Sequence, residues 1–167
     1  MVLMGVAGSG KSSVGAALAL RLGAQYLEGD DLHPAENIAK MSRGEPLDDA
    51  DRWPWLALVG AALAGPDLTD RGRRIVGCSA LKRRYRDRIT EHAGGPVTFI
   101  HLAGSRAVIE TRMRARQGHF MPTALLDSQF AALEAPAAEE NAVTVDIDQP
   151  LGAVIDAIVA QLRRLST

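Results

Sequence analysis

Eight residues close to the start, Gly5-Val6-Ala7-Gly8-Ser9-Gly10-Lys11-Ser12, constrain this chain more than any other stretch. Their spacing, Gly-x4-Gly-Lys-Ser, is that of a phosphate-binding loop. Val2-Leu3-Met4 before it reads as a short buried strand, and Ser13-Val14-Gly15-Ala16-Ala17-Leu18 after it as the opening turns of a helix. The glycines let the backbone bend until successive N–H groups converge on phosphate oxygens, and the positive end of the helix adds to the attraction. Residues Gly5 to Ser13 are thus the expected cradle of a nucleoside triphosphate, with Lys11 reaching the β and γ phosphates and the Ser12 hydroxyl a direct ligand of Mg²⁺. A dinucleotide fingerprint is excluded, because Ser13 stands where the third glycine of Gly-x-Gly-x-x-Gly would fall.

Helical spacing of Val14, Ala17, Leu18 and Leu22 leads to Gly23, a C-cap glycine. A second strand, Ala24 to Leu27, runs into Glu28-Gly29-Asp30-Asp31, and in open α/β sheets ligands bind at such carboxyl ends. Strand alternation sets Glu28 and Asp30 on one side and Asp31 on the other. Beside a phosphate loop, these acids suit an acceptor site: one carboxylate orients a hydroxyl and takes its proton, a second stands near Mg²⁺. Alone, they would read as a solvated turn capping the next helix.

Pro34 suits the first position of a helix to about Met41, on which His33, Asn37 and Lys40 share a face, either a substrate-facing stripe or a wet surface. A second helix runs from Asp48–Asp51 to Ala64 and holds Trp53 and Trp55, expected as packing anchors. Residues from about 33 to 65 therefore form a helical insertion before the third strand, Arg74 to Cys78.

Beyond that strand the run Ser79 to Arg88 starts a strongly basic helix. Arginines there oppose the helix dipole, which points to an anionic ligand or, equally, to alternating charge on an exposed face. Cys78 and His101, the latter on the fourth strand Val97 to Leu102, sit in apolar runs and read as core. Ser105 caps a helix carrying Arg112 and Arg116 at i, i+4, which ends at Gly118-His119-Phe120-Met121-Pro122. A cationic helix end beside a glycine hinge suits a lid, at about 114–126, closing over ATP. Leu126, Phe130 and Leu133 mark a short amphipathic helix, Ala142 to Ile147 a fifth strand, and Leu151, Val154, Ile155, Ile158, Val159, Leu162 and Leu165 the closing helix.

Composition narrows the class. With 167 residues, 47% hydrophobic and 23% charged, the chain is expected to be one domain, 1–167, with a substantial core. A net charge of −1 supplies no general field for nucleic acid or an anionic membrane. The single cysteine and the immediate phosphate loop favour a cytoplasmic protein with no leader to remove. Only three of the 19 cations are lysines, Lys11, Lys40 and Lys82, each in a stretch singled out here on other grounds.

Five strands alternating with helices, a phosphate loop after the first, an insertion after the second and a lid after the fourth resemble the shikimate-kinase and nucleoside-monophosphate-kinase group. Within it, the chain is similar to the gluconokinase family. The matching stretches are the phosphate loop, Glu28-Gly29-Asp30-Asp31-Leu32-His33-Pro34 with Asn37 and Lys40-Met41, Pro46-Leu47 with Asp49, Asp51-Arg52 and Pro54-Trp55-Leu56. Further matches are Cys78-Ser79-Ala80-Leu81-Lys82 with Tyr85-Arg86-Asp87, Gly118-His119-Phe120-Met121, Leu125-Leu126 with Ser128-Gln129-Phe130, and Leu133-Glu134 with Pro136. Departures are Ala7 where the family often has Ser, a short N-terminus and a less charged Pro122-Thr123-Ala124.

The resemblance implies an α/β fold, a P-loop NTPase three-layer sandwich with a five-stranded parallel sheet, and transfer of the γ-phosphoryl of ATP to the 6-hydroxyl of D-gluconate. It implies Lys11, Asp30 and Arg116 as catalytic groups, with Asp30 the base and Arg116 on the lid. Arg112 would lie against the adenine, Glu28 would hold Mg²⁺ through water, and Asp30, His33, Arg52, Lys82 and Arg86 would bind gluconate. The family also implies a homodimer. The residues themselves leave open a kinase for another small acid such as shikimate, or a nucleotide-binding switch. Against the switch stand Cys78-Ser79 in place of a strand-end Asp and the lack of an Asn-Lys-x-Asp motif.

Overall fold

The computed structural model describes residues 1–64, 72–115 and 123–165. Five strands, β1 (Val2–Met4), β2 (Gln25–Glu28), β3 (Arg74–Gly77), β4 (Phe99–Ala103) and β5 (Ala142–Asp146), form one wholly parallel sheet in the order β2-β3-β1-β4-β5. The helices are α1 (Lys11–Leu22), α2 (Ala35–Ser42), α3 (Asp49–Ala64), α4 (Arg83–Ala93), α5 (Arg106–Ala115), α6 (Thr123–Ala132) and α7 (Leu151–Leu165).

Two-residue periodicity divides the strands between two cores. Leu3, Ile75, Ile100, Leu102, Val143 and Val145 pack with α1, α5, α6 and α7 residues such as Leu18, Ile109, Leu126 and Ile158. Val2, Met4, Val76 and Phe99 face the other way, onto Trp55, Leu56, Val59 and Ile89 of α3 and α4. The result is a helix–sheet–helix sandwich. Gly23 ends α1 in the left-handed conformation at φ 63°, and the Ser105 hydroxyl accepts the Val108 N–H at 3.3 Å to cap α5. The N-terminal boundary of α2 lies one residue later than expected, with Pro34 as its cap.

Strand order fixes where a site can lie. From central β1 the chain moves out to β2, returns to β3 between them, then crosses β1 to reach β4. The carboxyl ends of β1, β2 and β3 therefore open onto one crevice, the switch point at which such sheets bind ligands. Register sets Leu3 and Glu28 on either side of Gly77, and the Gly5 N–H donates to the Ser79 carbonyl at 3.2 Å.

Candidate active site

The phosphate loop leaves β1 buried at Gly5 and Val6 and enters α1 at Lys11. The Lys11 Nζ donates to the carbonyls of Gly5 at 3.0 Å and Val6 at 3.1 Å. α5 covers the loop at Gly8, where any Cβ would stand 2.7 Å from Met113 Cγ, and the backbone holds φ 81°. Only glycine suits that position. Arg112 bonds the Ile147 carbonyl beyond β5 and approaches the Ser9 carbonyl at 3.5 Å, so it flanks the loop. Ser9 is fully buried, its Oγ lacking a hydrogen-bond partner among the described residues. Its side chain therefore packs beneath the loop. Ser12 and Ser13 are exposed on the first turn of α1.

Glu28 ends β2, and its Oε2 accepts the Tyr26 hydroxyl at 3.1 Å. Tyr26 fits because Gly15 of α1 and Gly77 of β3 lack side chains; a Cβ on Gly15 would lie 2.0 Å from the ring, and one on Gly77 2.2 Å from the hydroxyl oxygen. Burial, reinforced by the Glu28 charge and hydrogen bond, raises the Tyr26 pKa, while a hydrogen bond with Ser12 opposes the shift. Tyr26 thus links Ser12 to Glu28, the two side chains expected at Mg²⁺, a link that sequence reading did not identify. One hydroxyl plus a nearby carboxylate suits Mg²⁺, which takes few protein ligands and completes its octahedron with phosphates and water. No group of three or more His, Cys, Asp or Glu side chains arranged to hold a metal occurs among the described residues.

Asp30 does not continue the strand. Gly29–Leu32 is a 3₁₀ turn, so the expected alternation between Asp30 and Asp31 gives way to two exposed carboxylates on one tight turn. Trp55 secures this turn by donating its indole N–H to the Gly29 carbonyl at 2.7 Å. His33 stacks on Trp55 with centroids 4.2 Å apart and shares a hydrogen bond with Asn37 at 3.2 Å. Burial lowers the His33 pKa, with Arg52 adding to the effect and Asp30 opposing it. The Asn37 amide donates to the Asp51 carbonyl, and Lys40 pairs with Asp51 at 2.5 Å. The stripe His33, Asn37, Lys40 is therefore a polar seam between α2 and α3.

Lys11, Asp30 and Arg52 all lie near enough to Cys78 for their charges to act on its thiol, which burial pushes up to about 12. Cys78 is thus an inert floor at the end of β3. Beside it stands a cationic cluster around the Tyr85 ring: Arg52 at 5.8 Å, Lys82 at 5.4 Å and Arg84 at 5.7 Å. Asp49 accepts the Tyr85 hydroxyl, pairs with Arg84 and lies 3.6 Å from Lys82. Arg52 has no carboxylate partner among the described residues; its charge faces Tyr85, His33 and Cys78.

Arg86 requires a correction. Its side chain is 1% exposed and is paired with Glu140. It grips Glu140 through Nε at 2.6 Å and Nη2 at 2.8 Å, while Nη1 donates to the carbonyls of Ala80 at 3.1 Å and Glu134 at 3.0 Å. Every nitrogen is engaged, so Arg86 fixes the backbone beneath Lys82 and does not bind an acceptor. Ala80, in this segment, is the sole described non-glycine residue at positive φ, 43°. The basic start of α4 is likewise balanced from within: the Arg83 N–H is capped by Glu134 at 2.6 Å, and Arg83 and Arg84 pair with Glu139 and Asp49. Arg116 and the Gly118-His119-Phe120-Met121 stretch lie outside the described residues.

A family model described as an AAA domain matches residues 1–136. The thermoresistant gluconokinase of Escherichia coli K12 is 48% identical over 165 residues, 98% of this chain and 93% of that protein. The gluconokinase of Gluconobacter oxydans is 42% identical over 159 residues, covering 95% and 88%. A gluconokinase from Sinorhizobium meliloti 1021 superposes with a TM-score of 0.88 at 51% identity, over 98% of this chain and 91% of that one. Shikimate kinase from Aquifex aeolicus, at 14% identity and a TM-score of 0.61 over 99% and 96%, shares the fold. A phosphate loop opening beside an acidic turn and a cationic cluster, together with these matches along nearly the whole chain, shows that the chain belongs to the gluconokinase family of P-loop kinases.

Proposed function

We propose that the protein transfers the γ-phosphoryl group of ATP to the 6-hydroxyl of D-gluconate, yielding 6-phospho-D-gluconate and ADP. The observation that carries this reading is the register that sets the phosphate loop, the acidic 29–32 turn and the Cys78–Lys82 segment side by side at the carboxyl ends of β1, β2 and β3. A cation for the donor, a carboxylate for a hydroxyl and a cation for an acid group then share one crevice.

Phosphoryl transfer asks chiefly for positioning and charge stabilisation. The loop amides and Lys11 hold the donor phosphates. Asp30 accepts the proton of the acceptor hydroxyl as its oxygen bonds to phosphorus and the bond to the β–γ bridging oxygen breaks. Ser12 and Glu28, linked through Tyr26, would hold Mg²⁺, which supplies charge neutralisation across the phosphates when bound. Arg52 and Lys82 take the gluconate carboxylate, and neutral His33, held flat on Trp55, contacts the polyol. No helix among the described residues is long and apolar enough to cross a membrane.

The test is ADP release measured with ATP, Mg²⁺ and a panel of sugar acids plus shikimate. Gluconate is expected to give the highest kcat/KM. Faster turnover with shikimate would refute the substrate assignment, and tight nucleotide binding with no acceptor-dependent turnover would refute the kinase reading itself.

A further inference from the structure

Gln129 of α6 makes a contact that the phosphoryl-transfer chemistry leaves unused. Its Oε1 accepts the backbone N–H of Ala7 at 2.6 Å, across 122 residues of chain. An N–H can be met only by the oxygen of a carboxamide, so the bond fixes which way the Gln129 amide is turned. The peptide group that carries the Ala7 N–H also carries the Val6 carbonyl, and that carbonyl accepts the Lys11 ammonium at 3.1 Å. In a trans peptide these two groups point in opposite directions. The same rigid plane is therefore gripped on one edge by Gln129 and on the other by Lys11.

The helix that presents Gln129 is itself anchored. Leu126 is 3% exposed within the core that contains β1 and α1, and Phe130 and Leu133 pack against that core. Leu126, Gln129 and Phe130, at i, i+3 and i+4, share one helix face, so the packing that seats α6 also aims the carboxamide at the loop. Glycines at Gly5 and Gly8 bracket the peptide with backbone at φ 145° and 81°. The Ser9 N–H also donates to the Val6 carbonyl at 3.2 Å, so the carbonyl edge of the plane is held by Lys11 and Ser9, while its N–H edge is held by Gln129 from outside the loop.

We propose that Gln129 is a positioning residue that acts through the Val6–Ala7 peptide to set the place of Lys11, and so the affinity for the terminal phosphates of the nucleotide. The inference rests on the phosphate loop's binding of a nucleoside triphosphate and is independent of which acceptor is used. Gln129→Met keeps the length and apolar stem of the side chain and removes the acceptor. ATP and ADP affinities by titration calorimetry, in the otherwise unaltered chain and in a Lys11→Met background, separate the proposed route from general damage. The expected result is about a tenfold loss of ATP affinity in the first background, the scale of one hydrogen bond, and less than a twofold loss in the second. Equal losses in both backgrounds, or none in either, overturn the proposal.

A measurement on the unaltered protein guards against a variant that fails to fold. Amide hydrogen exchange followed by NMR should show Ala7 protected at least tenfold over the same amide in a peptide, and that protection should vanish in Gln129→Met. An unprotected Ala7 amide would equally overturn the proposal. Because neither readout involves an acceptor, failure of the gluconate assignment would leave both unchanged.

Discussion

Replacing Glu140 by Gln separates a structural Arg86 from a substrate-binding one. In the folded protein the Glu140 carboxylate meets the Arg86 fork at 2.6 and 2.8 Å and accepts the Ala137 N–H at 2.9 Å, with side-chain exposures of 1% for Arg86 and 9% for Glu140. A carboxamide keeps one acceptor but turns an NH₂ toward the guanidinium, leaving a buried cation without a counter-charge. Breaking one side of a buried pair costs about 3–5 kcal/mol; because Gln keeps one bond, the lower end applies. At roughly 2–4 °C per kcal/mol for a domain of this size, Tm should fall by about 6–12 °C. Calorimetric melts at pH 7 measure this, and the KM for gluconate, taken well below the transition, should stay within about twofold. An unchanged Tm accompanied by a tenfold higher KM would refute the structural assignment of Arg86. The pH dependence has a definite sign. The hydrogen bond from Arg86 draws the Glu140 pKa down to about 2 from its ordinary 4.5. The unfolded chain therefore binds more protons in this window. The pair's contribution is complete above about pH 4.5 and is lost as pH falls through about 2. The gap in Tm between the two proteins should narrow over that interval, and a gap that widened on acidification would contradict the assignment.

Asp30→Asn should lower kcat by about 10²–10⁴-fold, the span of general-base contributions, with ATP affinity nearly constant by calorimetry. Normal turnover would remove Asp30 from the chemistry. Arg52→Ala should raise the KM for gluconate by about 10–100-fold, the scale of a charge-assisted hydrogen bond, with little change in that for ATP; a matching rise in both would place Arg52 outside the acceptor site. Gly77→Ala sets a methyl 2.2 Å from the Tyr26 hydroxyl oxygen and should destabilise by about 1–3 kcal/mol in denaturant melts. Adding Tyr26→Phe should recover most of that loss, since it deletes the clashing atom, and failure to recover would mean that the methyl collides elsewhere.

The phosphate loop, the α/β alternation and the insertion of α2 and α3 were legible because each is written locally, in consecutive residues or in one helical period. α7 is the plainest case, with Val154, Ile155, Ile158 and Val159 all buried as their spacing requires. Partner choice across the chain was not legible. Tyr85 finds Asp49 36 residues away, Arg86 finds Glu140 54 away, and Ala7 finds Gln129 122 away; nothing in the local pattern of either partner names the other. The Asp30–Asp31 turn failed for a different reason. Period-two alternation holds only while the backbone stays extended, and Gly29, buried against the Gly77 carbonyl with no room for a Cβ, is where the chain leaves the strand. A glycine between two acids was the available signal of that change.

The basic run at the start of α4 shows how charge divides between fold and function in this molecule. Read along the chain, Lys82, Arg83, Arg84 and Arg86 are one basic run, open equally to an anionic ligand or to an exposed face of alternating charge. Folded, Arg83 faces Glu139, Arg84 faces Asp49 and Arg86 faces Glu140, so three of the four are neutralised by carboxylates of the chain itself. Lys82 must share Asp49 with Arg84 and the Tyr85 hydroxyl at a longer 3.6 Å, and Arg52 lies across the same ring with no carboxylate among the described residues. A half-buried cation with no counter-ion is a standing electrostatic cost that an incoming carboxylate relieves. Under the proposed function, the residual positive charge at Arg52 and Lys82 is what would meet the acid group of the acceptor, with the exposed acid on the 29–32 turn left to its hydroxyl. Charge left over after the fold has satisfied itself is a sharper guide to the substrate than the density of arginines in the sequence.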